Sequence, residues 1–453
     1  MIPHEDDQVT AASGIDERYR DFEVDPGYRY LHDRGEQVGW FDYGSMWLIS
    51  GYSELARALR DDETFSSVHD LPNGCTHRQG VMYPATSIRS IPIEVDPPEY
   101  LGYRRLLAPR FAPPVVRSLV PLIRQYTTWC IDNHIESGTM DLFHDLATMV
   151  PALVTMGFVG LPLEDSLIIA TAVHARGAGR FDLNPAWRHL MRRIEEAAAL
   201  RSAAPGNDLI SYLVTADLGG RKLTSAEITG ICFGIVIGGM STTAKLTLGA
   251  LSYLGVHTAA RERMAAGDAL PTAMDEFLRY YTPVPFLCRT ATRDVTIGGQ
   301  AIKSGDRVAM GFAAANRDPR FFPQPHEVVL DRKPNRHLAF GLGVHFCVGA
   351  ALGRTEASIM VQEVLRRMPG YRIGCEYDPA AAPPRRQGTP RGEKRAPSRR
   401  SKRMTWEDRM ERGLTVTFTP GRRLGSGLDL AFAEPFAPAA PPHHPDGTPG
   451  TDS

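Results

Sequence analysis

The chain is poor in cysteine, with only six in its 453 residues. They stand at positions 75, 130, 232, 288, 347 and 375, and no two of them form a CxxC pair. Structural zinc sites and iron–sulfur clusters need several protein ligands, and disulfide frameworks need paired cysteines. The spacing argues against all three, so each cysteine is expected to be either core packing or a single ligand.

An excess of one charge is also absent, because the formal net charge is −1, with 43% hydrophobic and 23% charged residues. This balance is ordinary for a globular protein and points to no bulk nucleic-acid or membrane partner. The first residues lack a basic segment followed by an apolar one. Neither a signal peptide nor an amino-terminal membrane anchor is therefore expected, and the expected location is the cytoplasm.

Long runs without charge are few, and two of them raise the question of a membrane span. They are residues 146–162, which contain Pro151, and residues 228–244, which are rich in Gly, Ser and Thr. Buried core helices explain both runs better than spans do.

The pattern of apolar residues predicts a mainly α fold with minor β. Residues 38–52 alternate around a turn and predict a hairpin, helical periodicity dominates from Ser53, and residues 290–312 predict a second strand-rich part. No linker divides the first 370 residues, so a single domain over residues 15–421 with two lobes is expected.

Some segments are too polar or too rich in proline to supply a core. Residues 378–403 are rich in Pro and Arg and are expected to be a disordered basic insert, after which "MERGLTVTFTPG" returns to a strand pattern. Residues 1–14 and 424–453 are expected to be disordered tails.

Cys347 stands in an unusual setting, "HLAFGLGVHFCVGAALGR", with glycines on both sides and a histidine two residues earlier. The helical period that follows places it at a helix start, where free N–H groups and the helix dipole favour a thiolate. Gly341, Gly343 and Gly349 remove side chains where something flat could approach the backbone. A lone thiolate in this cradle suits a metal whose other ligands come from a macrocycle. The alternative is a buried cysteine at a helix start.

These residues carry a family resemblance. "FGLGVHFCVG", from Phe340 to Gly349, resembles the haem-binding loop of cytochrome P450 haem-thiolate proteins, Phe-Gly-x-Gly-x-His-x-Cys-x-Gly. The resemblance implies the cytochrome P450 fold, a large helical lobe and a small β-rich lobe around a buried haem. It implies haem b as cofactor, with Cys347 as the axial thiolate and Phe340, Gly341 and Gly349 around it.

Further segments resemble the same family in the same order along the chain. "EFLR" supplies Glu276 and Arg279, which with Arg332 are similar to the structural triad of the family. By the same resemblance, the residues that bind the haem propionates are Arg104, Arg289 and His345, with Tyr100 in place of a common histidine.

"IVIGGMSTTAK" resembles the oxygen-binding groove of the long central helix, and the resemblance implies roles for Gly239, Ser241 and Thr242. Relatives commonly carry an acid where this chain has Ser241, and that acid relays protons beside the threonine. A serine cannot act as a carboxylate acid–base group. Either another carboxylate or an ordered water fills the gap, or the substrate assists, or the reaction is a less proton-demanding one such as aryl coupling.

The resemblance implies a monooxygenase that uses dioxygen to hydroxylate or otherwise oxidise a mid-sized apolar or aromatic molecule, in secondary metabolism. Because the chain has no dinucleotide- or flavin-binding unit of its own, electrons are expected from a separate ferredoxin and an NAD(P)H-dependent ferredoxin reductase. A monomer is expected. The alternatives are an oxidase that couples C–C or C–N bonds without inserting oxygen, and a non-catalytic haem sensor. The expected substrate pocket residues are Ile235, Val284, Pro285, Phe286, Leu287 and Leu414.

Overall fold

The computed structural model describes residues 31–41, 45–69, 80–83, 86, 88–174, 185–267, 270–373, 413–426 and 428. The expected amino-terminal tail, the basic insert at 378–403 and most of the carboxy-terminal tail lie outside the described residues, as do Cys75 and Cys375.

Helices make up most of the described part, and the sequence prediction of a mainly α fold with minor β is confirmed. In chain order the helices are α1 (Tyr52–Ala58), α2 (Glu99–Leu107), α3 (Pro113–Asp132), α4 (Met149–Val159), α5 (Ser166–His174), α6 (Pro185–Ala203), α7 (Leu209–Thr215), α8 (Ser225–Val256), α9 (Thr258–Ala265), α10 (Leu270–Tyr281), α11 (Phe312–Ala315) and α12 (Ala350–Arg367). Short 3₁₀ turns cover Ala108–Phe111, Leu163–Asp165 and Gly343–His345, and a π-helical turn covers Leu142–Ala147.

The strands form three small sheets. They are β1 (Val38–Phe41), β2 (Met46–Ile49), β3 (Phe65–Ser66), β4 (Thr139–Asp141), β5 (Leu287–Ala291), β6 (Val295–Ile297), β7 (Gln300–Ile302), β8 (Arg307–Met310), β9 (Arg372–Ile373) and β10 (Thr415–Thr417). The largest sheet has the order β1-β2-β8-β5-β3, the second has the order β4-β10-β9, and β6 pairs with β7. The predicted hairpin is β1 and β2, with Val38 opposite Ile49 and Phe41 opposite Met46.

Helix α8 runs through the centre of the helical lobe, packed against α4 and α12. Its start is fixed by a capping box, in which Thr224 Oγ1 accepts from the Glu227 N–H at 3.2 Å and the Glu227 carboxylate accepts from the Thr224 N–H at 2.6 Å. Arg221 and Tyr103 also donate to Glu227, and Arg221 in particular lowers the pKa of this carboxyl to about 2. The carboxylate therefore stays charged and tethers α2 to the start of α8.

Two helical stretches of the described chain have the length and composition to cross a membrane, Leu142–Val159 and Ser225–Val256. A third appears if Glu99–Phe111 and Pro113–Asp132, bent by 48°, are taken as one. The most apolar windows of the first two are 83% and 56% buried inside the protein. Both therefore pack in the helical lobe, where the sequence predicted core helices.

The carboxy-terminal boundary of the folded part lies slightly beyond residue 421. The buried Asp132 carboxylate accepts from the Leu424 N–H at 3.2 Å and the Gly425 N–H at 2.9 Å, and it also accepts from Arg367 at 2.5 Å. A buried carboxylate needs hydrogen-bond donors, and Leu424 and Gly425 supply two of them to Asp132. The tail predicted from residue 424 thus begins within a segment that is bound to α3.

Candidate active site

A cavity of about 280 Å³ lies where α8 and α12 meet the small lobe. Its walls come from segments far apart in sequence, including residues 91–93, α2, α4, α8, residues 283–289 and residues 339–349. Its lining is largely apolar, as expected for a pocket that takes a small organic molecule.

Cys347 lies on this cavity wall, immediately before α12. Its N–H donates to the Phe340 carbonyl at 2.9 Å, and the Phe346 N–H donates to the Gly343 carbonyl at 3.1 Å, so the loop closes on itself. The Gly349 N–H, Arg104 and Arg354 each lower the pKa of the Cys347 thiol, but desolvation by the surrounding protein outweighs them and raises it. The helix start therefore does not favour the thiolate by itself. A metal ion bound to the sulfur would deprotonate the thiol.

The other cysteines of the described chain do not reach the cavity. Cys130 and Cys232 are buried in the helical core, and desolvation raises the pKa of each thiol. Cys288 is buried in the small lobe beside Met46. Within the described residues, Cys347 is thus the cysteine that is placed to bind a cofactor.

Glycines keep both sides of the cavity open beside Cys347. A Cβ atom added at Gly349 or at Gly238 would meet no atom within 4 Å. Gly341 has a φ of 69°, which glycine adopts without strain. At Gly343 a side chain is excluded by a close contact instead, because a Cβ atom there would lie 2.4 Å from the Leu59 carbonyl oxygen. The loop therefore packs against the end of α1 while its cavity face stays flat.

Two of the predicted propionate residues have unused polar groups at the cavity. Arg289 is buried and forms no salt bridge within the described part of the chain, and desolvation lowers the pKa of its guanidinium to about 10. His345 Nε2 lies 3.2 Å from Ser67 Oγ, while its buried Nδ1 has no hydrogen-bond partner among the described residues. Desolvation, and then the charges of Arg289 and Arg104, lower the pKa of His345 to about 3.

Arg104 and Tyr100 are already engaged with the loop. Arg104 donates to the Phe346 carbonyl at 2.8 Å, and the Tyr100 hydroxyl donates to the Val344 carbonyl at 2.5 Å. A hydroxyl has one proton to donate. Tyr100 therefore braces the loop, and its expected place among the propionate residues stays a prediction.

These features fit haem. A buried guanidinium without a carboxylate and an orphaned imidazole nitrogen are what an anionic group in the cavity would satisfy. The glycine-lined walls at Gly238, Gly341 and Gly349 leave space for a flat ring beside the Cys347 sulfur.

Glu276, Arg279 and Arg332 form a buried network away from the cavity. Arg279 Nε and Nη2 each donate to Glu276 at 2.8 Å, and Arg332 Nε donates to both carboxylate oxygens at 3.1 and 3.0 Å. Arg279 also donates to the carbonyls of residues 316, 325 and 327. The network thus joins α10 to the segment that leads into the Cys347 loop.

Gly238, Gly239 and Thr242 of α8 line the cavity. Thr242 Oγ1 donates to the Gly238 carbonyl at 2.7 Å, which leaves the hydroxyl oxygen able to accept. Gly239 allows α4 to approach, because a Cβ there would lie 2.7 Å from Thr155 Oγ1. Ser241 is not among the residues that line the cavity. Its expected role beside Thr242 stays a prediction.

Only some of the expected pocket residues line the cavity. Ile235, Val284 and Leu287 do so, but Pro285, Phe286 and Leu414 do not. The Pro285 carbonyl accepts from the Ala313 N–H, and Phe286 packs against Tyr83 in a separate core cluster. Leu414 is buried at the second sheet, where its N–H donates to Asp141.

Sequence reasoning missed other lining residues, namely Phe111, Thr155, Leu246 and Glu356. Thr155 and Leu246 lie in apolar helical runs that give no sign of which side faces a cavity, and Phe111 ends a 3₁₀ turn. Glu356 did leave a signal, because it is an acid that shares a helix face with the apolar Leu352 and Met360.

The loop that contributes residues 91–93 to the cavity wall contacts the backbone of α8 directly. The Ile91 N–H donates to the Gly230 carbonyl at 3.2 Å, and a Cβ at Gly230 would lie 2.7 Å from the Arg89 carbonyl oxygen. The loop is pinned further by the fully buried Glu94, which accepts from the Val81 and Ser90 N–H groups at 2.9 and 2.8 Å.

We expect Gly230→Ala to destabilise the protein, although alanine favours a helix over glycine by about 1 kcal/mol. The new methyl group meets a pinned backbone, and such overpacking costs about 1–3 kcal/mol. Gly238→Ala in the same helix places its methyl group in the open cavity, and it should be neutral or stabilising in denaturant unfolding of the haem-free protein. A Gly230→Ala protein more stable than the parent would contradict this packing.

Comparison with known proteins agrees with this geometry. The family model described as "Cytochrome P450" matches residues 268–369, which include the triad and the Cys347 loop. The chain is 31% identical to the polyketide biosynthesis cytochrome P450 PksS of Bacillus subtilis (strain 168), over 73% of this chain and 84% of that protein. It is 30% identical to the steroid C26-monooxygenase of Mycolicibacterium smegmatis, over 78% of this chain and 88% of that protein.

Among solved structures, the hydroxylase HmtN is similar with a TM-score of 0.70 and 27% identity, over 88% of this chain and 98% of that chain. The sequence similarity to PksS and the structural similarity to HmtN extend over 73% and 88% of this chain. The chain therefore belongs to the cytochrome P450 family and is a monooxygenase whose cofactor is haem with a cysteine thiolate as axial ligand.

Proposed function

We propose that the protein hydroxylates or otherwise oxidises a mid-sized apolar or aromatic molecule in secondary metabolism. The observation that carries this proposal is the apolar cavity, with Cys347 on one wall and Thr242 on the other. Haem bound through a thiolate supplies the activation of dioxygen. The protein supplies the ligand, the groups that hold the cofactor and the shape of the pocket.

In this proposal each residue of the site has a separate task. Cys347 is the axial ligand, and Arg289, His345 and Arg104 hold the carboxylates of the cofactor. Thr242 presents a hydroxyl oxygen to the groove and holds a proton there. The Glu276–Arg279–Arg332 network fixes the loop that carries Cys347 and takes no part in the chemistry.

The substrate class follows from the cavity walls away from Cys347. Ile91, Phe111, Phe158 and Ile235 are apolar, and Thr155 adds one hydroxyl. Such walls bind an apolar molecule with few polar groups. The names of two relatives, a polyketide biosynthesis enzyme and a steroid monooxygenase, support molecules of this size and polarity.

We further propose a ferredoxin and an NAD(P)H-dependent ferredoxin reductase as electron donors, and a cytoplasmic monomer as the working form. Phe346 is an exposed residue of the Cys347 loop, and Arg105 is exposed next in sequence to Arg104, which donates to that loop. They offer an apolar and a basic contact to an acidic partner.

The direct test supplies a ferredoxin, its reductase, NADPH and a panel of apolar substrates under ¹⁸O₂. A product heavier by one labelled oxygen atom is expected. A second candidate, oxidative coupling without oxygen insertion, is favoured by the absence of an acid at Ser241. A product that lacks two hydrogens and carries no label would establish coupling, whereas no electron-driven turnover of any substrate would overturn both.

Thr242→Ala should bind haem normally but waste electrons as hydrogen peroxide, because the hydroxyl at the groove is lost. Loss of a positioned proton-transfer group costs about 10²–10⁴ in rate, so we expect product formed per NADPH to fall at least about tenfold. Thr242→Ser keeps the hydroxyl and is the matched control. Parental product yield in Thr242→Ala would remove Thr242 from the mechanism.

A further inference from the structure

A second group of charged side chains lies against the Cys347 loop, beside the buried Glu276 network. This group, the Asp275 cluster, consists of Asp275 on α10, Arg354 on α12 and His337 in the segment between the two helices. Asp275 accepts from Arg354 Nε at 2.9 Å and from Arg354 Nη2 at 2.8 Å. His337 Nε2 lies 3.6 Å from the same carboxylate oxygen. Helix α10 thus presents two adjacent acids, one to the buried network and one to this cluster.

The Asp275 carboxylate is charged. Desolvation raises its pKa, but the nearby His337 and Arg354 outweigh desolvation and hold the pKa below its usual value. The His337 imidazole is neutral in this arrangement, because its Nδ1 accepts from the Ala339 N–H at 3.3 Å and its proton is therefore on Nε2. The cluster thus contains one negative and one positive charge, on Asp275 and Arg354, whose side chains are 36% and 37% exposed.

Both partners of Asp275 contact Phe340. The Arg354 guanidinium lies over the Phe340 ring, 5.1 Å from its centroid, and the centroid of the His337 ring is 5.8 Å away. Phe340 lines the cavity, and its carbonyl accepts from the Cys347 N–H at 2.9 Å. Arg354 is also one of two arginines whose charge favours the anionic form of the Cys347 sulfur. The charge of Arg354 therefore acts on the axial ligand, and the charge of Asp275 opposes it.

Reduction of a bound haem adds one negative charge to a site that already contains a thiolate. A cation near the sulfur stabilises the reduced form, and an acid that neutralises this cation stabilises the oxidised form. At a separation of about 10 Å, a unit charge changes such an equilibrium by roughly two- to fifteenfold for effective dielectric constants between about 80 and 20. The same pair adds little to folding stability, because it is partly exposed to water. The Asp275 cluster is therefore better placed to set the charge at the ligand than to hold the fold.

We propose that Asp275 is a positioning residue that sets the reduction potential of the haem, because it holds the Arg354 guanidinium over Phe340 and offsets its charge. The electron comes from the external donor and goes to the haem iron, and neither side chain gains or loses an electron or a proton. The inference uses the haem and its Cys347 ligand and does not depend on the substrate that we propose. It gives Asp275 a role separate from that of Glu276.

The test measures the reduction potential of the haem-loaded protein by spectroelectrochemical titration, without substrate. Asp275→Asn removes the negative charge and keeps the size of the side chain, so its potential should be more positive, with the equilibrium constant for reduction raised at least about twofold. Arg354→Gln should shift the potential to more negative values by a similar factor. The double variant should return close to the parental potential, and Asp275→Glu, which keeps the charge, should match the parent.

Two matched controls remove the same charges elsewhere. Asp294 pairs with Lys303 at 2.7 Å in the β6–β7 hairpin, and Arg366 pairs with Glu363 about three turns further along α12. Both lie outside the cavity lining, so Asp294→Asn and Arg366→Gln should leave the potential at its parental value. Asp275→Asn should keep the thiolate band of the carbon-monoxide complex and a denaturant midpoint near that of the parent. A merely structural role of Asp275 would move the midpoint and not the potential.

A parental or more negative potential in Asp275→Asn would overturn the inference. An equal shift in the two controls would do the same, since net charge would then explain the result. Arg354→Gln tests the pair from its other side, so the inference stays testable if Asp275→Asn binds no haem, and an unchanged potential in Arg354→Gln would overturn it. A parent that oxidises no apolar substrate would refute the proposed function but leave these shifts in place, so the two failures are distinguishable.

Discussion

Cys347→Ser removes the thiolate signature of the bound haem and, with it, product formation. Serine keeps the size of the side chain, but its hydroxyl is a poor ligand and does not push electron density onto iron as a thiolate does. The loop itself should remain in place, because it is held by backbone hydrogen bonds from Cys347 and Phe346 that the substitution leaves intact. The measurement is the spectrum of the reduced, carbon-monoxide-bound protein, together with product yield.

Cys130→Ser and Cys232→Ser are the matched controls, because both cysteines are buried in the helical core away from the cavity. They should cost stability through a buried hydroxyl but leave the spectrum unaltered. An unaltered thiolate spectrum in Cys347→Ser would show that another cysteine is the ligand.

Glu276→Ala should destabilise the protein by about 3–5 kcal/mol, which is a large part of the stability of most domains. The carboxylate is fully buried and neutralises two guanidinium groups, those of Arg279 and Arg332, whose side chains are 0% and 7% exposed. Removing it leaves two buried positive charges without a counterion. The expected result is a large loss of soluble, haem-loaded protein and a much lower denaturant midpoint.

Glu196→Ala is the control of the same chemical type. Glu196 is 50% exposed on α6 and pairs with Arg192 and Arg193 at 3.7 and 3.6 Å. Exposed pairs of this kind contribute about 0–1 kcal/mol. If the two variants lost equal stability, the Glu276 network would not be the buried support of the Cys347 loop that the geometry indicates.

The parts of the site that the sequence predicts well are those encoded by local spacing. The glycines, histidine and cysteine of the Cys347 loop lie within ten residues of one another. The backbone conformation at Gly341 and Gly343 favours glycine there. Glu276 and Arg279 are one helical turn apart, so their meeting follows from helix geometry. Arg332, far from them in sequence, was placed by resemblance alone.

The parts that could not be predicted depend on which way a side chain points after packing. Ser241 is next to Thr242 in sequence, yet it is not among the residues that line the cavity. Tyr100 lines the cavity, but its single proton goes to the Val344 carbonyl, which no sequence pattern reveals. Phe286 alternates away from Leu287 along the chain and joins another core.

The place of Glu356 on the cavity wall could not be predicted from the sequence either. A buried acid on a helix is more often paired, as Glu363 is with Arg124 and Arg366. Only the three-dimensional packing of α12 on α8 shows that Glu356 has an Oε2 without a partner and a place on the cavity wall.

The central claim is that Cys347 holds haem as a thiolate in the cavity between α8 and α12. Its most direct test is the optical spectrum of the purified parent protein, reduced with dithionite and exposed to carbon monoxide. A strongly red-shifted Soret band is the result that this account predicts. A band typical of histidine or neutral-thiol ligation, or a protein that binds no haem, would contradict it.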